Sequence, residues 1–336
     1  MALVAGIDEA GFGPVLGPLV VSSSLFSVPD GLEGESMWRM LSGAVCRRAS
    51  RRRWRVAIAD SKRLYGGLRG GTGLEGLERG VLAMLACRGP APGSLRELLE
   101  TISPGAIDAA RAYPWYSNGE RSPSRNGSPL GGLDLPLPRS ASGADVALAS
   151  KALQKAMEQA GLKLLEIRSE TVFEGEYNRL ASASNKSLML FDVTCRLLAR
   201  LWEVAGSHRL IVHVDRQGGR LRYLSGLQRV FEGCSFKIIE EDADQSAYRV
   251  TRGPKEAEVR FTVNCEDRQL PVALASMASK YLRELSMELL NRFWAGLVPD
   301  LAPTAGYYAD GRRFYQDIQP AARQLGVEER MLYRFC

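Results

Sequence analysis

The sequence predicts an α/β protein, and three observations support that fold class. First, 45% of the 336 residues are apolar, which is enough for a packed core. Second, short apolar runs typical of strands alternate along the chain with longer segments whose apolar residues recur at helical spacing. Third, no internal repeat interrupts this alternation. No window approaches 18 uninterrupted apolar residues, so we expect no membrane-spanning helix.

The first part of the chain predicts a strand pair followed by helices. Residues 2–8 read as a short buried strand, and residues 18–28 as a second strand close enough to pair with it as a hairpin. An extended segment then stops at Asp60, and either Asp60 or Ser61 could cap a following helix. Helical spacing continues at 74–87.

The middle of the chain changes character at about 88–145. Residues 113–143 are dense in Pro, Gly, Ser and Asn. We expect this stretch to bury little apolar surface and to form a mobile insertion, with a tolerated surface loop as the simplest interpretation.

Regular structure is predicted to resume after the insertion. The predicted elements are a helix at 144–160, a strand at 163–172, a helix at 185–204, buried strands at 209–215 and 236–242, a β-hairpin at 247–265 around Gly253–Pro254, and a long helix from Pro271 to Phe293. We therefore expect one domain over 1–298 and a C-terminal helical extension over 299–336, with one or two short helices.

Composition restricts the chemistry. The six cysteines are scattered and form no CxxC pair, so a structural zinc site or a disulfide framework is not expected, and a reducing cytoplasm fits best. Only two histidines occur, His208 and His213. A metal site must therefore rely on carboxylates, which favours Mg²⁺ or Mn²⁺ over zinc.

The net charge of +6 allows a polyanionic partner without establishing one. The densest basic run is formed by six arginines between positions 47 and 55, at Arg47, Arg48, Arg51, Arg52, Arg53 and Arg55. A solvated helical face and a phosphate-contacting patch both fit this run.

The N-terminal stretch VAGIDEAGFGPVLGP does not fit a nucleotide-binding turn. Its glycines have the spacing G-x-G-x-x-x-G, one residue too long for the dinucleotide fingerprint. Asp8 and Glu9 would repel a pyrophosphate, and no GKS or GKT follows. The two acids are better interpreted as cation ligands at the end of a strand that Gly11 and Gly13 interrupt, although an exposed acidic turn would explain one of them.

Two further segments carry candidate acids. Asp215 ends the strand RLIVHVD, where a metal ligand is common in open α/β sheets and where a helix or turn cap is the alternative. On the long helix, Ser276, Lys280 and Glu284 share one face, and small neighbouring residues would let the helix approach the sheet closely. Periodicity alone favours a Lys280–Glu284 salt bridge on a solvated face.

Taken together, these motifs resemble ribonuclease HII. The matching residues, in order, are Asp8-Glu9-Ala10-Gly11-Phe12-Gly13-Pro14, Asp60-Ser61-Lys62, the strand-ending Asp215, the helical run from Ala275 to Glu284, and Gly306-Tyr307. The resemblance covers most of the chain outside 88–145 and 247–265. It departs from the family at Phe12, where the family has Arg, and at Glu284, where it has Asp.

The resemblance implies a ribonuclease H-like mixed sheet flanked by helices, with a catalytic domain and a C-terminal extension that contacts substrate. It also implies a monomeric two-metal nuclease acting on RNA/DNA hybrids or on single ribonucleotides in duplex DNA. Two divalent cations, Mg²⁺ or Mn²⁺, would be held by Asp8, Glu9, Asp215 and Glu284, with Asp8 bridging them. The implied substrate contacts are Gly11, Phe12, Gly13, Lys62, Lys280 and Tyr307.

Two alternatives stay open at this point. The departures at Phe12 and Glu284 fit a protein of the same fold that binds duplex or hybrid nucleic acid with weak or no cleavage. A nuclease of this fold that acts on another duplex substrate is the second alternative.

Overall fold

The computed structural model describes residues 1–66, 72–117 and 132–335. The strands are β1 Ala2–Ala10, β2 Leu19–Val28, β3 Val45–Cys46, β4 Val56–Ala57, β5 Lys163–Val172, β6 Leu210–Asp215, β7 Ser235–Glu241, β8 Gln245–Arg252 and β9 Lys255–Thr262. The helices are α1 Met37–Met40, α2 Ser61–Gly66, α3 Leu74–Leu85, α4 Leu95–Ile102, α5 Gly105–Ala110, α6 Gly143–Ala160, α7 Glu174–Ala183, α8 Lys186–Ala205, α9 Leu224–Val230, α10 Leu270–Ala295 and α11 Tyr308–Gln324. Short 3-10 turns lie at Gly132–Asp134, Cys265–Asp267 and Glu329–Met331.

The central sheet is mixed. Its seven strands have the order β5-β2-β1-β6-β9-β8-β7. Strands β5, β2 and β1 are antiparallel neighbours, whereas β6 and β9 run parallel to β1. Strands β8 and β7 extend the sheet as an antiparallel meander, which includes the predicted hairpin. This topology, with helices on both faces, confirms the predicted ribonuclease H-like fold class.

The side chains of β1 alternate between two cores, as the period of two in a strand requires. Leu3, Ala5 and Ile7 pack in the core that α8 covers, and Val4 packs in the core under α10. Asp8 therefore points toward α10.

Helix α10 approaches β1 closely at Gly6. A Cβ atom at this position would lie 2.1 Å from the backbone nitrogen of Val272. Ala273, Ala275 and Ala278 are fully buried, which confirms the expected close approach of the small-residue face. This contact fixes which residues of α10 lie beside the end of β1.

Two expectations are wrong, and one of two open alternatives is excluded. Tyr113, Trp115 and Tyr116 are buried with Leu133, Leu135 and Leu137, so the described ends of 113–143 do bury apolar surface. The aromatic residues among the turn formers make that packing possible, and the expected mobility concerns residues that include 118–131, outside the described part.

β7 is an exposed edge strand rather than a buried one. The arginine run lies in the β3–β4 loop, not on a helical face.

The C-terminal segment packs onto the main body of the protein. Phe314, Ile318 and Ala322 of α11 join the core under α10. At 17 residues, α11 is longer than the short helices expected. The predicted boundary at residue 298, between one domain and a C-terminal extension, stays a prediction. Within the described residues, no helix is long and apolar enough to cross a membrane.

Candidate active site

Two of the predicted acids lie side by side on adjacent strands. The parallel register pairs Ile7 with Val214, so the next step along both strands brings Asp8 beside Asp215. Adjacent strands lie about 4.8 Å apart. Because both residues are on the α10 face of the sheet, their carboxyl groups project into the same space.

Glu9 joins this pair. The predicted strand ended at residue 8, before Glu9, but the observed strand β1 does not end there. β1 continues to Ala10, and Glu9 pairs with Val21 of β2. On the other side, β6 pairs with β1 only as far as Ile7 and ends at Asp215. The last residues of β1 therefore have an open flank, through which the charge of Asp215 acts on Glu9.

The fourth acid of this group is Glu266, which the sequence analysis missed. It lies in the 3-10 turn Cys265–Asp267, directly after the carboxyl end of β9. The backbone N–H of Cys265 donates to Oδ1 of Asp215 at 2.8 Å, which fixes the turn against β6. Glu266 contributes to the raised pKa values of Asp8, Glu9 and Asp215. The feature that could have identified Glu266 is its position shortly after β9, a strand that runs parallel to β1 and β6.

Burial and neighbouring negative charge raise the pKa values of Asp8, Glu9 and Asp215. Burial, followed by the charge of Asp8, raises the pKa of Asp215 to about 8. Burial and then Asp215 raise the pKa of Glu9 to about 7. The pKa of Asp8 is also well above its usual value, through burial and then Glu9. Such a cluster is stable in its ionised form only beside a compensating positive charge.

Lys62 supplies part of that positive charge. Oδ1 of Asp60 accepts the backbone N–H of Lys62 at 2.9 Å and so caps α2, one of the two predicted alternatives. Burial lowers the pKa of Lys62, but Asp60 and Asp8 outweigh it and the net pKa is raised. The Lys62 ammonium is therefore charged and faces the acids from α2.

The residues present fit hard divalent cations. All donors are carboxylate oxygens, and Oε2 of Glu266 is buried without a hydrogen-bond partner. Within the described residues, no three ligand side chains already stand as a metal-binding set. Asp8 and Asp215 each turn Oδ1 to a backbone N–H, of Glu9 and Cys265 respectively. One oxygen of each of these two carboxylates is therefore engaged by the backbone.

Glu284 lies elsewhere on α10. Ser276 donates to Asp8, and Glu284 is eight residues further along the helix, about 12 Å at 1.5 Å per residue. Oε1 of Glu284 accepts from Nζ of Lys280 at 2.5 Å, and Glu284 also contacts Tyr65. The structure therefore does not group Glu284 with the other three predicted acids. The predicted salt bridge is present, but its side chains are only 14% and 16% exposed, so the expected solvated face is wrong.

Lys280 is held in place by Glu284 and Tyr65. Its ammonium lies 4.6 Å from the centre of the Tyr65 ring in addition to the pair with Glu284. Both interactions compete with a phosphate for this lysine.

The glycine loop after β1 is fixed by two buried arginines. Gly11 has a φ of +87°, and a Cβ there would meet Pro18 and Arg283. Arg283 donates to the carbonyl oxygens of Leu16 and Pro18. Arg334 donates to those of Gly11 and Pro14.

The loop and the adjacent Tyr307 present three of the predicted substrate contacts. Gly13 is exposed, and a Cβ added to it would meet nothing within 4 Å. Phe12 is half-buried against the core under α8. Tyr307 is 54% exposed. The preceding Gly306 accepts the N–H groups of Val15 and Leu16, so Tyr307 is held beside the loop.

The sequence comparisons find no match, whereas comparison with solved structures does. No protein-family model and no curated protein matches the chain. Ribonuclease HII of Archaeoglobus fulgidus, solved with PCNA, is 14% identical over 99% of this chain and 94% of that chain, with a TM-score of 0.41. Ribonuclease H2 of Pyrococcus horikoshii is 14% identical over 98% and 92%, with a TM-score of 0.37. Ribonuclease H3 of Aquifex aeolicus is 14% identical over 97% and 72%, with a TM-score of 0.36.

Proposed function

We propose that this protein is a metal-dependent endonuclease. It would hydrolyse the RNA strand, or the phosphodiester of a single ribonucleotide, in a duplex with DNA. The observation that carries the proposal is the group of carboxylates at the ends of β1, β6 and β9, formed by Asp8, Glu9, Asp215 and Glu266. In this proposal Glu266 takes the fourth place, which the resemblance to ribonuclease HII implied for Glu284.

The acid group suits phosphodiester hydrolysis by water. Divalent cations, when bound, supply charge neutralisation and Lewis acidity at the phosphate. Asp8, in the centre of the group, would touch both cations, and Glu9, Asp215 and Glu266 would complete their coordination. Lys62 faces the same space and would donate to a non-bridging phosphate oxygen. No serine, cysteine or histidine nucleophile is needed in this arrangement.

The loop after β1 would contact the ribose of the substrate. The backbone N–H groups around the exposed Gly13 are available to the 2′-hydroxyl, which distinguishes RNA from DNA at a given position. Tyr307 would stack on the neighbouring sugar. Phe12 has no hydrogen-bond donor in its side chain, so it would contribute only apolar contact.

Two observations favour a second function, binding without efficient cleavage. Phe12 packs against the core under α8, and Lys280 is occupied by Glu284 and Tyr65. Both features reduce the polar contacts available to a substrate. A protein of this kind would still bind hybrid duplexes, with little turnover.

A cleavage assay separates the two functions. The protein is incubated with Mg²⁺ or Mn²⁺ and three labelled duplexes, namely an RNA/DNA hybrid, DNA with one embedded ribonucleotide, and DNA alone. We expect cleavage of the first two substrates and its loss in Asp8→Asn, with Asp192→Asn as a control for an exposed carboxylate. Binding of the hybrid without cleavage under either metal would reject the nuclease proposal in favour of the binding function.

A further inference from the structure

A groove of about 700 Å³ adjoins the acid group. Its wall is formed in part by Glu266 and Asp267 and in part by Arg47 and Arg48. The groove therefore connects the candidate cation site with the arginine-rich β3–β4 loop. A strand of nucleic acid lying in it would meet both the candidate cation ligand Glu266 and the guanidinium groups of Arg47 and Arg48.

The β3–β4 loop is anchored at its base. Strands β3 and β4 pair in parallel, with Val45 opposite Val56. The Arg55 guanidinium donates to the carbonyl oxygens of Ser42 and Val45 at 2.9 and 2.8 Å, which closes the loop across its ends. The chain then runs directly from β4 to Lys62, so the loop and the candidate active site belong to one continuous segment.

Arg47 is supported by a rigid aromatic platform. Its guanidinium carbon lies 4.1 Å from the centre of the Trp38 ring. The indole N–H of this buried tryptophan donates to the carbonyl oxygen of Ile58 at 2.8 Å, so the ring has a fixed position. Stacking on the ring leaves the edge of the guanidinium, with its N–H donors, free to face the groove.

The charges of Arg47 and Arg48 are not neutralised within the described residues. Neither side chain forms an ion pair there, and both are exposed. Arg63, on the same groove, instead donates to both carboxylate oxygens of Asp267 at 2.7 and 2.8 Å. The groove thus contains one satisfied arginine and two that are available to an anion.

We propose that Arg47 and Arg48 bind backbone phosphates of the nucleic-acid duplex, away from the phosphate that is cleaved. The inference rests on the proposed function, because the duplex enters the groove from the acid group. A guanidinium fork matches the oxygens of a phosphate, and two arginines in sequence can bind one or two phosphates of the same strand. This contact is independent of base sequence. It increases affinity and fixes the position of the duplex along the groove.

The salt dependence of binding tests this assignment. Affinity for the RNA/DNA hybrid is measured in the cleavage-deficient Asp8→Asn background over a range of salt concentrations. Each lost phosphate contact lowers the slope of log affinity against log salt by about 0.9. For Arg47→Gln with Arg48→Gln we expect the slope to fall by about 1 to 2 and affinity at 0.1 M salt to fall about 10- to 60-fold.

A matched control removes the same charge elsewhere. Arg88 and Arg111 are exposed arginines outside the groove, and Arg88 follows the end of α3 that is remote from the groove residue Thr72. The double variant Arg88→Gln with Arg111→Gln should leave the slope nearly unchanged. Equal slopes for the two double variants would overturn the proposal, because net charge alone would then explain the effect.

Neutral phosphates locate the contact. A series of duplexes carries one uncharged methylphosphonate each, moved along both strands. In the Asp8→Asn background we expect one or two positions, separated from the cleaved phosphate, to weaken binding. The same positions should have no effect once Arg47 and Arg48 are replaced. An unchanged profile would overturn the inference.

The two proposals fail differently. If the unaltered protein cleaves a ribonucleotide-containing duplex but the profile is unchanged, only the phosphate contact is wrong. If it neither binds nor cleaves such a duplex, the proposed function and the phosphate contact are both wrong.

Discussion

Replacing Asp215 by Asn should stabilise the metal-free protein at alkaline pH. Ionised Asp215 lies beside Asp8 and Glu266, and burial raises its pKa from 3.8 to about 8. Asparagine removes the charge and keeps an oxygen that can accept the N–H of Cys265. Asp215, an acid proposed to bind a cation, therefore lowers the stability of the metal-free protein.

The sign of the effect follows from proton linkage. Between pH 4 and pH 8, the folded protein keeps a proton on Asp215 that the unfolded chain has released. The free energy of unfolding therefore falls as pH rises through this window, by at most about 1.4 kcal/mol per pH unit. An isolated group shifted this far would cost about 6 kcal/mol, and because neighbouring acids share the proton we expect about 2 to 5 kcal/mol.

The assay is urea unfolding with a chelator present, from pH 5 to pH 9. The advantage of Asp215→Asn over the unaltered protein should grow up to about pH 8 and then level off. Asp192→Asn, an exposed carboxylate, should change stability by no more than about 0.5 kcal/mol at any pH. In Mg²⁺ at 100 times its dissociation constant, the unaltered protein should gain about 2.7 kcal/mol and the variant much less. A variant that is less stable at pH 9 without metal, or an advantage that does not change with pH, would refute the reasoning.

Three more outcomes are expected. Glu266→Gln should lower cleavage at least about 100-fold, whereas Glu284→Gln should stay within about tenfold of the unaltered rate, and the reverse order would return the fourth place to Glu284. Gly6→Ala should destabilise the fold by about 2 kcal/mol or more in urea unfolding, because its Cβ would overlap the backbone of α10, whereas Gly13→Ala points into open space and should be neutral. Phe12→Arg should increase the preference for an embedded ribonucleotide over a DNA-only duplex in a competition assay. An unchanged preference would mean that position 12 does not read the ribose.

Local patterns predicted much of the fold because they act within one element. Helix α8 begins at Lys186, where the Asn185 side chain accepts the N–H of Leu188, and the predicted start at residue 185 differs by one. Asp215 ends β6, as the apolar run before it predicted, and the β8–β9 turn contains Gly253 with a φ of +57°. Caps, periodicity and turn residues are all readable without tertiary contacts.

The fourth acid of the group, Glu266, could not be predicted from such local patterns. Helical periodicity puts Lys280 and Glu284 on the face of Ser276, but it does not tell where along the helix the sheet crosses. That point is set by Gly6 against the start of α10, a contact between residues distant in sequence. It brings Ser276 to the acids and leaves Glu284 beside Tyr65. Glu266 reaches the site through a short turn after a strand, which has no periodic pattern.

The expectation that residues 113–143 bury little apolar surface failed at the described ends of this stretch for a related reason. Composition marks this stretch as rich in turn formers, and composition averages over the residues that pack. Tyr113, Trp115 and Tyr116 contact one another, and the two tyrosines also contact Phe173, with ring centres 5.1 to 5.9 Å apart. A few aromatic side chains are enough to hold an otherwise polar segment against the core.

The most direct test of the two-cation site is a crystal structure of the full chain grown with Mn²⁺, using the anomalous scattering of the metal. The site proposed here predicts two anomalous peaks about 4 Å apart, both in contact with Asp8 and shared among Glu9, Asp215 and Glu266. In Asp8→Asn, at least one of the two peaks should disappear. Absence of manganese from these four acids, or a peak held by Glu284 instead, would contradict the account.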